Sequence, residues 1–204
     1  MLGISDYPAF AGAVIIFLAI PGPGNLALLT ATGQGGVRSG LAATLGVIAG
    51  DQVLLWLAVA GLAALLINYP TVYSLIQWAG AAYLVGLGYA LYKMQSGDAP
   101  VLKMEPDHYF RQALWITVLN PKAIVFYMAF FPLFVDPAQH QGLWTFAAMA
   151  ITIAILTFGY GLFVVLLAHY LSERARANPL IGQVLHKIAG VLLIGFGLKL
   201  ALFK

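Results

Sequence analysis

The sequence predicts an all-α membrane protein of six transmembrane helices, arranged as a 3+3 inverted repeat with helices one and four broken. Three observations carry this. The 204 residues are 62% hydrophobic and only 8% charged, too few charges to cover a soluble domain of this size. Six apolar stretches each approach or exceed the roughly 20 residues that cross a bilayer. Two of them are interrupted near their centres by Pro, Gly and Asn, a pattern that no ordinary helix sustains.

The spans run approximately Ala9–Thr32, Leu41–Ile67, Thr71–Tyr92, Gln112–Val135, Trp144–Ala168 and Leu180–Phe203. The amino terminus carries Asp6 and no basic residue before the first span, so that span is read as a retained helix and not a cleaved signal. Gly, Pro and charge clusters separate the spans, and no soluble domain intervenes. The chain is thus one polytopic membrane domain, residues 1–204, with a first repeat of about 9–93 and a second of about 111–204.

Span one contains Pro21-Gly22-Pro23-Gly24-Asn25, and span four contains Asn120-Pro121-Lys122 at comparable depth. Prolines 21, 23 and 121 remove backbone donors, leaving the carbonyls of Phe17, Ala19 and Thr117 without their usual helical partners. Within hydrocarbon, broken backbone is tolerated only where it faces protein or a wet cavity. Breaks at matching positions in two halves are the sequence mark of a transporter's binding site. Spans three and six add to the likeness. Ala79-Gly80 and Gly86-Leu87-Gly88 in one match Ala189-Gly190 and Gly195-Phe196-Gly197 in the other. Three spans per half give the second half the opposite polarity.

Basic residues set the orientation. Arg38 follows span one; Lys93, Lys103 and Arg111 lie between spans three and four; Arg174 and Arg176 precede span six, with Lys187 just inside it. Only Lys199 and Lys204 depart from this pattern. Both termini are expected outside, with the basic loops in the cytoplasm of a bacterial-type inner membrane.

Two ionisable residues lie well inside spans, Asp51 in span two and Lys122 in span four. Each is about 15 Å from the start of its span at 1.5 Å per residue, near the midplane. Embedding either costs about 2.5–3.5 kcal/mol, so each needs a partner or hydrated surroundings, and the nearest candidate is the other. A structural ion pair pinning the two spans is the plain reading. The sharper one is that both take part in substrate or proton coupling. Past each break a new half-helix begins with free N–H groups, a natural receptor for a carboxylate, and Asn25 and Asn120 add donors and acceptors.

The remaining features are less specific. Gly36 and Gly40, then Gly46 and Gly50, make small-residue pairs on span two that let another helix approach beside Asp51. Thr145, Thr152 and Gly159 recur every seven residues on span five, as helix packing would produce. Tyr73, Trp78, Phe131 and Trp144 fit an interfacial aromatic belt. The absence of cysteine excludes disulfides and thiolate chemistry, and the four histidines lack the spacing of a metal site, so no metal or cofactor is expected. A net charge of +3 without basic runs gives no reason to expect a nucleic-acid partner. One acid and one amine without a nucleophile–base pair argue against an enzyme.

Taken in order, Pro21-Gly22-Pro23-Gly24-Asn25, Gly46-Val47-Ile48-Ala49-Gly50-Asp51 and Asn120-Pro121-Lys122-Ala123 with Phe130-Phe131-Pro132 resemble the LysE/RhtB family of amino-acid exporters. The likeness covers essentially the whole chain and is greatest to the RhtB branch, which includes leucine-exporter-like members. It implies six helices and export of amino acids or derivatives from the cytoplasm, driven by the proton gradient. The family's commonest form places Asn or Asp directly after Pro-Gly-Pro, whereas Gly24 stands there in this chain and Asn25 follows. The expected substrate is a small, mainly neutral amino acid, held by Lys122 and the half-helix ends, with Asp51 taking the ammonium or the proton. A passive small-solute channel or an exporter of basic amino acids is the alternative. Small-residue helix faces suit either internal packing or a homodimer.

Overall fold

The structure is a computed structural model. It describes residues 4, 6–62, 104–135 and 142–177, with isolated positions at 71, 78, 82, 85, 86, 88–90, 92, 93, 183, 184, 187, 188, 190, 191, 194, 195 and 198. Most of spans three and six, and with them the test of the inverted repeat, lie outside the described residues. The described residues are mostly helical, with an isolated antiparallel bridge between Ile4 and Val135.

Helix α1 spans Tyr7–Ala19. Asp6 caps it by accepting the Ala9 N–H at 3.0 Å, and Pro8 occupies the first turn, where no donor is missed. The helix stops at Ile20 because Pro21 cannot continue it. Helix α2 then runs Pro23–Leu57, continued by a π-helical turn at Ala58–Leu62.

Helix α2 is not straight. Gly36 has φ 72° and ψ −165°, a conformation that L side chains rarely adopt, and it divides α2 into two arms. A Cβ added at Gly40 would collide with the Thr32 hydroxyl, so the second arm folds back along the first. The link between the first two expected spans, from Thr32 to Leu41, is therefore a reversal centred on one glycine, because glycine alone turns the chain without a steric penalty.

Span four is built from α3 (Tyr109–Val118), α4 (Pro121–Val125), a π-helical turn (Phe126–Phe130) and a 3-10 turn (Phe131–Phe134). Helix α5 covers Leu143–Ala177, longer than its apolar stretch. Its residues 143–171 are long and apolar enough to cross a membrane. Ile151, Ile155 and Phe163 are each about 60% or more exposed along α5. An apolar helix that shows such a face is dissolved in lipid, since water would drive those side chains inward.

The second arm of α2 packs on α3 at its glycines. A Cβ on Gly50 would lie 2.7 Å from Thr117 Cβ, and one on Gly46 would strike the Phe110 carbonyl oxygen. Gly46 and Gly50 thus bring α3 up beside Asp51, as their spacing predicts. On α5, Gly161 meets Thr44, whereas the expected Gly159 faces open surroundings because the packed face is turned away from it. Phe131 is another correction. It is 2% exposed and packs against Tyr127, since the chain around it coils as π and 3-10 turns that turn the ring inward and away from an interfacial belt. Among the described positions of spans three and six, Gly88 and Gly190 meet backbone to backbone.

Two apolar cores result. One joins Phe10, Val14 and Leu18 of α1 to Leu54, Leu55, Tyr127, Phe131, Met149 and Ile153. The other joins Ala27, Leu28 and Ala31 to Ala43, Val47, Tyr109, Ala113 and Val165, toward the end that carries Arg38 and Arg111. Between them, at the level of both helix breaks, lies a layer of buried polar side chains.

Candidate substrate site at the helix breaks

The polar layer holds Asp51, Thr117, Asn120, Lys122 and Thr157, all at most 6% exposed. Each break has its own local logic. In span one, Ile20 and Gly22 are extended, with Gly22 at φ −167° and ψ −179°, and Pro23 opens α2. In span four, Asn120 is extended at φ −74° and ψ 114°, as the residue before a proline prefers. Its side-chain oxygen accepts the Lys122 N–H at 3.0 Å, so Asn120 is the N-cap of α4, and Pro121 occupies the first helical position.

Carbonyls at both breaks find partners outside the regular helical ladder. Lys122 Nζ donates to the Phe17 carbonyl at 2.8 Å and to the Ile20 carbonyl at 2.5 Å. It also lies 4.4 Å above the centre of the Phe17 ring, which stacks on Phe126 at 4.2 Å. A cation at the carbonyl end of a helix is favoured by the aligned peptide dipoles. Asn25 Nδ2 donates to the Leu18 carbonyl and to the Tyr160 hydroxyl, both at 3.1 Å. The Thr117 carbonyl accepts from the Asn120 N–H at 3.0 Å. The end of α1 is therefore capped by one side chain from its own span and one from span four.

Asp51 accepts a hydrogen bond from Thr157 Oγ1 at 3.4 Å. The Tyr127 hydroxyl lies beside this carboxylate without closing a hydrogen bond of ordinary geometry. No ion pair forms between Asp51 and Lys122 among the described residues. Their charges act on each other through space, because the ammonium is already held by two carbonyls. The structure thus brings Asp51, Lys122, Asn120, Asn25, Pro21–Gly24 and Pro121 into one layer, with the amine committed to backbone.

The LysE type translocator model matches residues 15–203 of this chain. The chain belongs to this family. A LysE-type translocator is a membrane transporter and not an enzyme. The leucine efflux protein of Salmonella typhimurium is 32% identical over 204 residues, covering 98% of this translocator and 96% of the relative. The leucine efflux protein of Klebsiella pneumoniae is 28% identical over the same shares. An uncharacterized membrane protein of Pseudomonas aeruginosa is 32% identical over 208 residues, again covering 98% and 96%. No solved structure matches the chain.

Several members of the layer were not legible in the sequence. Thr117, Thr157, Tyr127, Tyr160 and Phe17 are ordinary residues of apolar spans, and hydroxyls there usually bond back to their own helix. Their one signal is position, three residues before Asn120 for Thr117 and seven residues after it for Tyr127.

Proposed function

We propose that this translocator is a secondary active exporter of small, mainly neutral amino acids across the bacterial inner membrane, exchanging them for protons. One observation carries the reading: a polar layer with a buried acid and a buried amine sits where two helices break, closed off by an apolar core on either side. An alternating-access carrier requires that arrangement, with a central site and two barriers that open in turn. The full-length similarity to leucine efflux proteins supports an amino-acid substrate.

Asp51 is the proposed coupling group, taking either the substrate ammonium or the proton. Lys122 adds positive charge beside the N-terminus of α2, where the substrate carboxylate is to be held, and ties α1 to α4 through the two carbonyls. Asn25 and Asn120 keep the broken segments in shape for the substrate. A proton moving down about 100 mV releases about 2.3 kcal/mol, enough for roughly a 50-fold solute gradient.

The test uses proteoliposomes loaded with a panel of labelled amino acids and a pH gradient imposed across them. The wild type is expected to move small neutral amino acids against their gradient. Asp51→Asn is expected to insert normally and to lose the pH-driven component. A gradient still built by Asp51→Asn at the wild-type rate ends the coupling assignment.

A further inference from the structure

Four hydroxyls of helical residues among those described follow the usual rule and bond to the carbonyl four residues back. Thr32 does so to Leu28 at 2.7 Å, Ser39 to Gly35 at 3.1 Å, Thr44 to Gly40 at 3.0 Å and Thr152 to Ala148 at 2.8 Å. Thr117 does not. It is 2% exposed, and its hydroxyl has no hydrogen-bond partner. A buried hydroxyl left unpaired is costly, and in a native protein it calls for an explanation.

The hydroxyl is turned toward the start of α2. A Cβ added at Gly24 would lie 3.9 Å from Thr117 Oγ1 and 3.9 Å from Val47 Cγ2, with nothing nearer. Gly24 and Asn25 are the second and third residues of α2, and Leu26 is the first whose N–H reaches the Gly22 carbonyl, at 3.1 Å. The N–H groups of Gly24 and Asn25 have no partner within the helix, and Gly22 has no side chain to cap them. The arm they open runs unbroken to Gly36, so its dipole is that of a full helix. Lys122 Nζ completes the surroundings, 3.5 Å from the corresponding Cβ position on Gly22.

We propose that the Thr117 hydroxyl and the N–H groups of Gly24 and Asn25 form the subsite for the substrate's α-carboxylate, and that the bare backbone of Gly24 is what lets the carboxylate reach them. The inference rests on the amino-acid exporter reading and adds to it a specific set of donors. Thr117 acts as a substrate-binding residue whose hydroxyl is satisfied only when substrate is bound. Gly24, in the place where the family's commonest form carries Asn or Asp, gives access to backbone donors in place of a side-chain contact.

The test is L-leucine counterflow in proteoliposomes, with L-leucinamide, which lacks the carboxylate, as competitor. Thr117→Val keeps the shape and removes the hydroxyl. Gly24→Ala places a methyl between hydroxyl and backbone at ordinary contact distance, so it folds without strain. Loss of a hydrogen bond to a charged group costs about tenfold or more in affinity. Both variants are expected to raise the half-saturating leucine concentration by that factor. Thr117→Ser is expected to stay within about threefold of wild type, and leucinamide, whose neutral amide oxygen accepts weaker hydrogen bonds, to lose less inhibition than leucine loses affinity. Leucine half-saturation within twofold of wild type for both Thr117→Val and Gly24→Ala overturns the subsite, as does an equal loss for leucinamide. If Thr117→Val does not fold, Gly24→Ala decides alone. A wild type that moves no amino acid of the panel ends the exporter reading instead.

Discussion

The same substitution, glycine to alanine in a membrane helix, is expected to change stability in opposite directions at Gly46 and Gly159. A Cβ at Gly46 would lie 3.0 Å from Ala113 Cβ and would also meet the Phe110 carbonyl oxygen, which belongs to the backbone of α3 and cannot step aside. Ordinary carbon contacts are about 3.5–4.0 Å and the Phe110 oxygen is nearer than Ala113, so the helices must part by about 1 Å or more. Overpacking of this kind costs about 1–3 kcal/mol, and rigid backbone opposite places Gly46 at the upper end, about 3 kcal/mol. Alanine's better helix propensity returns about 1 kcal/mol, leaving a net loss of about 2 kcal/mol. At about 2–4 °C per kcal/mol for a chain of this size, Gly46→Ala is expected to unfold about 4–8 °C lower. Gly159 has nothing within 4 Å of its Cβ position, so Gly159→Ala keeps only the propensity gain and should unfold about 2–4 °C higher. Thermal unfolding of detergent-purified protein, followed by tryptophan fluorescence, measures both. A Gly46→Ala protein as stable as Gly159→Ala would refute the packing of α2 on α3 that places Thr117 beside Gly24.

Lys122→Met leaves two buried carbonyls unpaired, at about 1–3 kcal/mol each, and removes an ammonium whose embedding costs about 2.5–3.5 kcal/mol. These terms largely offset each other, so the variant is expected to fold but to lose at least about tenfold in amino-acid flux, because α1 is no longer tied to α4 and, on the proposed exporter reading, the substrate loses a nearby cation. A wild-type flux would show that the amine is only structural filling. The absence of cysteine makes single-cysteine reporters clean. With an impermeant maleimide, Asp107→Cys is expected to label only from the cytoplasmic side and Trp144→Cys only from outside. The reverse pattern would invert the orientation read from the basic loops.

Much of the site was legible because its members break rules that apolar spans obey. Asp51 and Lys122 are conspicuous for their charge, and Pro21, Pro23 and Pro121 for the donors they lack. The residues that complete the layer break no such rule. Thr117 looks like Thr32 or Thr44 until its hydroxyl is seen to forgo the carbonyl behind it. Phe131 looks like a belt aromatic until the π and 3-10 turns rotate it into the core. The expected partnership of Asp51 with Lys122 misjudged a competition. The amine had two carbonyls to choose as well as one carboxylate, and only the position of α1 shows that the carbonyls win.

Local chemistry was decided by the chain alone: where helices must stop, which side chains are too polar for lipid, and that the solvent is a bilayer. These follow from backbone donors and transfer energies that depend on residue type and not on neighbours. Tertiary structure decided who answers whom across the breaks, because hydrogen bonds between residues more than a hundred positions apart leave no trace in spacing. The orphaned carbonyls of Phe17, Ala19 and Thr117 were readable from the prolines; that Lys122 would fill that of Phe17 and also that of Ile20 came only with the position of α1, and that Thr117 would be left facing Gly24 only with the packing of α3 against α2.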